Sequence, residues 1–404
     1  MGLNATPLSE RVHIGIFGSI NAGKSSIINA ITGQDAAIVS DYSGTTTDPV
    51  YKSMELLPLG PVVLIDTPGL DDKGELGQLR VEKSHRVLEK TDIAVIVLDA
   101  SVGLTEDNRQ LIERIEQKGI PYILAMNKSD VPGASDVQAS LGAEERDKYI
   151  FVSAKTGEGI HELKEKIAAL APKTGEKKLI ADLLNKGDMV ILVVPIDASA
   201  PKGRLILPQQ QVIRDVLEAY ATSVVIRETE VAATIKALGT KPRLVVTDSQ
   251  AFKTVSEQTP LDIPLTSFSI LFARYKGNLG QLVEGVRKLD NLKDGDKVLI
   301  SEGCTHHRQC EDIGTVKLPN WIKKHTNKEI NYEFTSGGHF PTDLSDYDLI
   351  IHCGACMLNE KEVQYRLAQA KEQGVPMTNY GTAIAHMHGI LDRALAPFKD
   401  YGDI

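Results

Sequence analysis

Cysteine, aromatic side chains and positive charge are all in short supply in this chain of 404 residues. Four cysteines are too few for a disulfide framework in so long a chain. Aromatics make up 5%, with Trp321 the single tryptophan, while apolar residues reach 42% and charged residues 25%. That balance is globular and excludes a disordered or low-complexity chain. Acidic residues outnumber basic ones by 54 to 45, a net charge of −9, which argues against a chain whose main task is to hold phosphodiester backbones. The strongest apolar stretches, such as Met189–Ile196 and Ile93–Leu98, fall far short of the ~20 residues that span a bilayer. No membrane segment is expected. The N-terminus lacks a basic flank followed by an apolar block, so a cytoplasmic location is expected. No repeat of ~20–50 residues is seen, which sets solenoids aside.

The length fits two to three domains. From Val12 to about Ala171, β-branched runs at Val12–Phe17, Val62–Ile65, Ile93–Leu98, Tyr122–Met126 and Tyr149–Val152 alternate with amphipathic stretches. This is the rhythm of a mostly parallel α/β sheet covered on both faces. The segment from Ala171 to Lys178 breaks it with Pro, Gly and charge and reads as a linker. A second α/β block follows, with very apolar strands predicted at Met189–Ile196, Ser223–Arg227 and Arg243–Val246. A third begins near Asp290–Asp296, with strands at Lys297–Ser301, Asp348–His352 and Pro376–Asn379 and a helix over Glu360–Gln373. The expected domains are 1–172, 173–285 and 286–404.

Gly18-Ser19-Ile20-Asn21-Ala22-Gly23-Lys24-Ser25 follows the first strand and opens a helix, the context a phosphate-binding loop requires. Its glycines let backbone N–H groups reach phosphates, Lys24 reaches the β- and γ-phosphates, and the Ser25 hydroxyl joins Mg2+. Asp66-Thr67-Pro68-Gly69 follows another strand, placing Asp66 for the magnesium shell and the Gly69 N–H for the γ-phosphate. Asn127-Lys128-Ser129-Asp130 and Ser153-Ala154-Lys155 supply the base loops; the Asp130 carboxylate can accept both guanine N1–H and N2–H, a pair adenine does not offer. The expected nucleotide contacts are Gly18, Asn21, Ala22, Gly23, Lys24, Ser25 and Ser26, with Asn127, Lys128, Asp130, Ser153, Ala154 and Lys155. The four motifs, in order, resemble the translation-factor class of GTPases over residues 12–171. The stretch from Asp41 to Asp48 looks like the switch loop of the tRNA-modification and ribosome-assembly GTPases, in which Thr46 is the magnesium and γ-phosphate sensor. Lys24, Thr46, Asp66 and Gly69 are therefore the expected catalytic set. Leu70 stands where a Ras-like chain has its water-orienting Gln. Asn21 matches the asparagine that ligates potassium in relatives activated by that ion, and K+ can supply the charge of an arginine finger. Slow, potassium-stimulated hydrolysis of GTP to GDP and phosphate is the expectation.

All four cysteines lie between Cys304 and Cys356, in Cys304-Thr305-His306 and His352-Cys353-Gly354-Ala355-Cys356, with Cys310 apart. Cys353 and Cys356 can grip one metal or two corners of a cluster, and Cys304 adds a third thiolate. Zinc would find a closed tetrahedral site in Cys304, His306, Cys353 and Cys356. A four-iron cluster would find three thiolates and an open corner, with His306, His352 or Glu302 as candidate ligands. A redox dithiol at Cys353 and Cys356 is a third reading.

A GTPase region joined to a C-terminal Cys-x-His…His-Cys-x-x-Cys pattern resembles the FeFe-hydrogenase maturation GTPases, the HydF family, over the whole chain. The resemblance implies an N-terminal GTPase, a middle dimerisation domain and a C-terminal domain holding a 4Fe-4S cluster through Cys304, Cys353 and Cys356. His306 and His352 match the family's histidines, whose ligand status the pattern leaves open. It further implies a scaffold or carrier, a homodimer or larger assembly, on which a transient two-iron cluster precursor is assembled with radical-SAM maturation enzymes as partners, then passed to apo FeFe-hydrogenase. No nucleic-acid or membrane partner is expected. The alternative is a tRNA-modification or ribosome-assembly GTPase with a C-terminal zinc-binding domain.

Overall fold

The computed structural model describes residues 6–33, 49–69, 83–84, 86–140, 142, 148–171, 177–196, 205–304 and 312–401. The chain divides into two compact units, Met1–Lys173 and Thr174–Ile404.

The first unit is built on a six-stranded sheet in the order β2-β3-β1-β4-β5-β6. Its strands are β1 (Val12–Phe17), β2 (Val50–Leu56), β3 (Gly60–Asp66), β4 (Ile93–Asp99), β5 (Tyr122–Asn127) and β6 (Tyr149–Phe151). All pairings are parallel except β2 with β3. Strand β1 is buried along its whole length, because a parallel strand covered on both faces needs an unbroken apolar run. The edge strand β2 alternates exposure instead, and its mixed sequence, Val-Tyr-Lys-Ser-Met-Glu-Leu, hid it from the hydrophobic-run reading. From β1 the chain pairs on one side with β3 and on the other with β4. That reversal opens a crevice at the carboxyl end of β1, where open α/β sheets place ligands.

The second unit carries two four-stranded sheets, β10-β9-β7-β8 and β12-β11-β13-β14, parallel throughout. The first comprises β7 (Met189–Val193), β8 (Thr222–Ile226), β9 (Leu244–Thr247) and β10 (Leu265–Ser267). The second comprises β11 (Lys297–Glu302), β12 (Asn331–Ser336), β13 (Leu349–His352) and β14 (Met377–Asn379). One apolar core runs through both, from Val190 and Leu192 to Leu299 and Ile350. The helix Leu279–Val286 lies on β14 so closely that a Cβ on Gly285 would stand 2.0 Å from the Met377 carbonyl oxygen. The boundary expected at 285/286 falls within this helix, one residue before its end.

Candidate functional site

The phosphate loop leaves β1 at Gly18 and ends at Gly23, the N-cap of the helix Lys24–Thr32. Gly18 (φ 144°), Asn21 (φ 63°) and Gly23 (φ 92°) take positive φ, turning backbone N–H groups into the concavity that anions bind. Lys24 is buried and its Nζ donates to the carbonyls of Gly18 at 2.9 Å and Ser19 at 2.8 Å. The lysine is therefore folded over its own loop, where β- and γ-phosphates would lie. Ser25 Oγ donates to Asp66 Oδ2 at 2.5 Å, bringing together the two side chains expected around Mg2+. Burial raises the Asp66 pKa, while the Ser25 hydrogen bond and the Lys24 charge pull it down. A cation at this point would relieve that burial cost directly. Gly69 approaches the phosphate loop so nearly that a Cβ would stand 2.4 Å from Ile20 Cγ1. Ser26 is exposed on the first turn of the same helix.

The base loops meet the phosphate loop through one amide. Asn127 Nδ2 donates to Ala22 O at 2.9 Å, and its Oδ1 accepts from the Ala154 N–H at 3.1 Å. Gly23 has to be glycine on two counts, its positive φ and the 2.2 Å between a built Cβ and Asn127 Nδ2. Lys128 (φ 65°) reaches Asp99 Oδ2 at 2.6 Å, a partner the motif does not reveal. Ser153 Oγ donates to Asp130 Oδ1 at 2.7 Å, fixing the carboxylate expected to read guanine, and Lys155, two residues after Ser153, is exposed. Thr46 and Leu70 lie outside the described residues.

The cysteine site stands at the carboxyl ends of β11 and β13, which pair directly through Ser301 and His352. Cys304 follows the first strand and Cys353 the second, so the register brings the two loops side by side. The Gly303 N–H donates to Cys353 Sγ at 3.1 Å and the Ala355 N–H at 3.4 Å. Ala355 takes φ 55°, a strained turn that carries the chain round from Cys353 to Cys356. Burial raises the pKa of both thiols; Cys356, beside Cys353, is pushed up to about 12. Buried thiols of this kind stay protonated until a metal replaces the proton. Three thiols on adjoining loops, with N–H donors already aimed at one sulfur, fit a thiophilic metal centre.

The histidines divide. His306 and Cys310 lie outside the described residues. His352 is buried with both nitrogens engaged: Arg366 Nη1 lies 2.9 Å from Nε2, and Nδ1 lies 2.9 Å from the Cys353 carbonyl. Arginine only donates, so Nε2 is the acceptor and Nδ1 carries the proton. Burial and the Arg366 charge push the His352 pKa down to about 3. His352, a candidate iron ligand by sequence, here has no lone pair left for iron; it braces the loop that carries Cys353. Arg366, 1% exposed, also donates to Glu362 Oε1 at 2.6 Å and Gly337 O at 3.0 Å. Sequence reasoning missed it, the only local signal being its spacing of four from Glu362. Glu302 is buried next to Cys304's loop and accepts from the Tyr380 hydroxyl at 3.1 Å.

Fold and motifs together define a P-loop GTPase, and residues 13–128 match the family described as 50S ribosome-binding GTPase. Residues 179–277 match the hydrogen maturase F dimerization domain and residues 280–397 the hydrogen maturase F tetramerization domain, the two together more than half of the chain. The chain belongs to the hydrogen maturase F family, that is, the HydF family of hydrogenase maturation GTPases. Among curated relatives it is 32% identical to GTPase Der of Kosmotoga olearia over 188 residues, 44% of this chain and 42% of the relative. It is 38% identical to tRNA modification GTPase MnmE of Prochlorococcus marinus over 163 residues, 40% of this chain and 34% of the relative. The chain thus spans about two fifths or less of the length of these relatives. Among solved structures, the G domain of the T. maritima FeoB iron transporter is 27% identical with a TM-score of 0.30, covering 40% of this chain and 99% of that one. No helix among the described residues is long and apolar enough to cross a membrane.

Proposed function

We propose that the protein is a GTP-hydrolysing scaffold or carrier that binds a 4Fe-4S cluster through Cys304, Cys353 and Cys356 and assembles or delivers a two-iron precursor to apo FeFe-hydrogenase. One observation supports this reading: β11 and β13 pair side by side, and the N–H of Gly303, the residue before Cys304, donates to Cys353 Sγ, in the part of the chain matched by the hydrogen maturase F tetramerization domain. The cluster would supply an iron with no permanent thiolate, an exchangeable corner on which cargo can be bridged and released. Of the non-thiol candidates for that corner, Glu302 and His306 flank Cys304, each two positions from it in sequence. The resident residues have separate tasks. Arg366 and His352 brace the Cys353 loop, and the N–H groups of Gly303 and Ala355 lower the cost of negative charge on its sulfur. In the GTPase unit, Lys24 cradles phosphate, Ser25, Thr46 and Asp66 hold Mg2+, and Asn21 takes K+; with Leu70 after the Asp-x-x-Gly motif, turnover is slow and potassium-stimulated.

The division of labour proposed is 1–172 for GTP, 173–285 for dimerisation and 286–404 for the cluster. The edge strand β8 supports a homodimer. Among the described residues it lies at the edge of its sheet, Val225 on it is 44% exposed, and Leu217 and Tyr220 beside it are 56% and 76% exposed. A larger assembly would use the region named for tetramerization, and radical-SAM maturation enzymes and the hydrogenase are the proposed cytoplasmic partners. The zinc-binding tRNA-modification or ribosome-assembly alternative is not favoured, because the maturase families match residues 179–277 and 280–397, where that alternative places its zinc-binding domain. Iron and sulfide analysis of anaerobically prepared protein tests the reading. About four of each per chain, with a thiolate-to-iron visible band lost in Cys353→Ala, is expected; stoichiometric zinc without iron or sulfide would overturn it.

A further inference from the structure

We infer that a second metal site, separate from the cysteines, is built from Asp290, His325 and His386, and that it takes a divalent first-row transition ion such as Zn2+. The three side chains come from three elements: the short helical turn Arg287–Asn291, the last turn of the helix Leu318–Thr326 and the last turn of the helix Tyr380–Met387. Each element is pinned by a fully buried neighbour, Leu289, Ile322 and Ile384 respectively, all members of one apolar core. Their ligand atoms all lie within 4.8 Å of one another. His325 Nε2 is 2.8 Å from Asp290 Oδ1, and His386 Nε2 is 3.0 Å and 2.9 Å from Oδ1 and Oδ2. The rings meet edge to face at 5.7 Å, so both Nε2 atoms address one carboxylate.

Two imidazoles and a carboxylate are a donor set for Zn, Fe, Ni or Cu and a poor one for Mg2+, which prefers oxygen ligands. With metal–ligand bonds of about 2.0–2.2 Å, ligand atoms sit about 3.3 Å apart in a tetrahedron. The imidazole–carboxylate spacings of 2.8–3.0 Å need only a few tenths of an ångström of opening. Asp290 and His325 are exposed and His386 half-buried, so an ion has access from solvent and keeps at least one open position. Bound there, it would clamp the ends of two helices to the turn that enters β11.

Zinc uptake by equilibrium dialysis of the full chain, in excess Mg2+, tests the site in two backgrounds. In a chain with Cys304, Cys353 and Cys356 replaced by serine, one equivalent of Zn2+ is expected, lost in His325→Gln, His386→Gln and Asp290→Asn. In the cysteine-containing chain the same substitutions should lower total zinc by one equivalent, which guards against misfolding of the serine variant. Trp321, on the same helix four residues before His325, is the only tryptophan, so Cu2+ should quench fluorescence with saturation at one equivalent, and the variants should abolish that phase. Zinc uptake and quenching unaltered by all three substitutions, with far-UV circular dichroism unchanged, would overturn the inference and leave Asp290 as an acceptor for two imidazole N–H groups only.

Discussion

Replacing Asn127 with alanine separates a structural role from base recognition. Asn127 is 2% exposed, and its amide bridges the Ala22 carbonyl and the Ala154 N–H at 2.9 Å and 3.1 Å. Alanine removes both bonds and strands one backbone acceptor and one backbone donor between two loops. Each buried group left unsatisfied costs about 1–3 kcal/mol. Some relaxation toward water brings the pair to about 2–4 kcal/mol, or roughly 30- to 1,000-fold in affinity. Titration with fluorescent GDP and GTP analogues in Mg2+ reads this directly. Both nucleotides should weaken together, because the lost bonds join loop to loop, and the preference for guanine over xanthine should stay, because Asp130 and its Ser153 partner are intact. Unchanged affinity, or a swapped base preference, would refute the reasoning.

Asp130→Asn should do the reverse, moving preference toward xanthosine triphosphate with loop stability little changed, as competition binding will read. Potassium should raise GTP turnover over sodium at equal ionic strength, with Asn21→Ala erasing the difference; equal rates in both salts would remove the role given to Asn21. Gly285→Ala places a Cβ 2.0 Å from the Met377 carbonyl oxygen, so helix and strand must part at a cost of about 1–3 kcal/mol. At about 2–4 °C per kcal/mol for a unit of this size, the second unit's Tm should fall by several degrees in calorimetry, while GTP binding is retained.

The GTPase unit was largely legible because its chemistry is local: each motif sits in a few consecutive residues after a continuous apolar strand. What escaped was non-local or weakly patterned. Strand β2 alternates on an edge, and β10 has only three residues, Leu265–Ser267, too short for a periodicity. Lys128's partner Asp99 lies 29 positions away, and nothing near Asn127 announces Ala22. At the cysteine site, the sequence puts Cys304 and Cys353 shortly after strands at Lys297–Ser301 and Asp348–His352, but that these two strands, β11 and β13, pair directly is a long-range fact. The ligand-like reading of His352 rested on its place beside Cys353, whereas its state is set by Arg366 from a helix 14 residues on. The Asp290, His325 and His386 cluster draws on histidines 61 residues apart along the chain, a separation no spacing rule spans.

Transfer is the central proposal, and activation of apo FeFe-hydrogenase measures it most directly. Protein prepared anaerobically together with the proposed radical-SAM enzymes should confer hydrogen evolution on the apoenzyme, and Cys304→Ala, Cys353→Ala and Cys356→Ala should each abolish it while GTP hydrolysis persists. Full activation by any of these three variants, or none by the unaltered protein loaded with its cluster, would contradict the account.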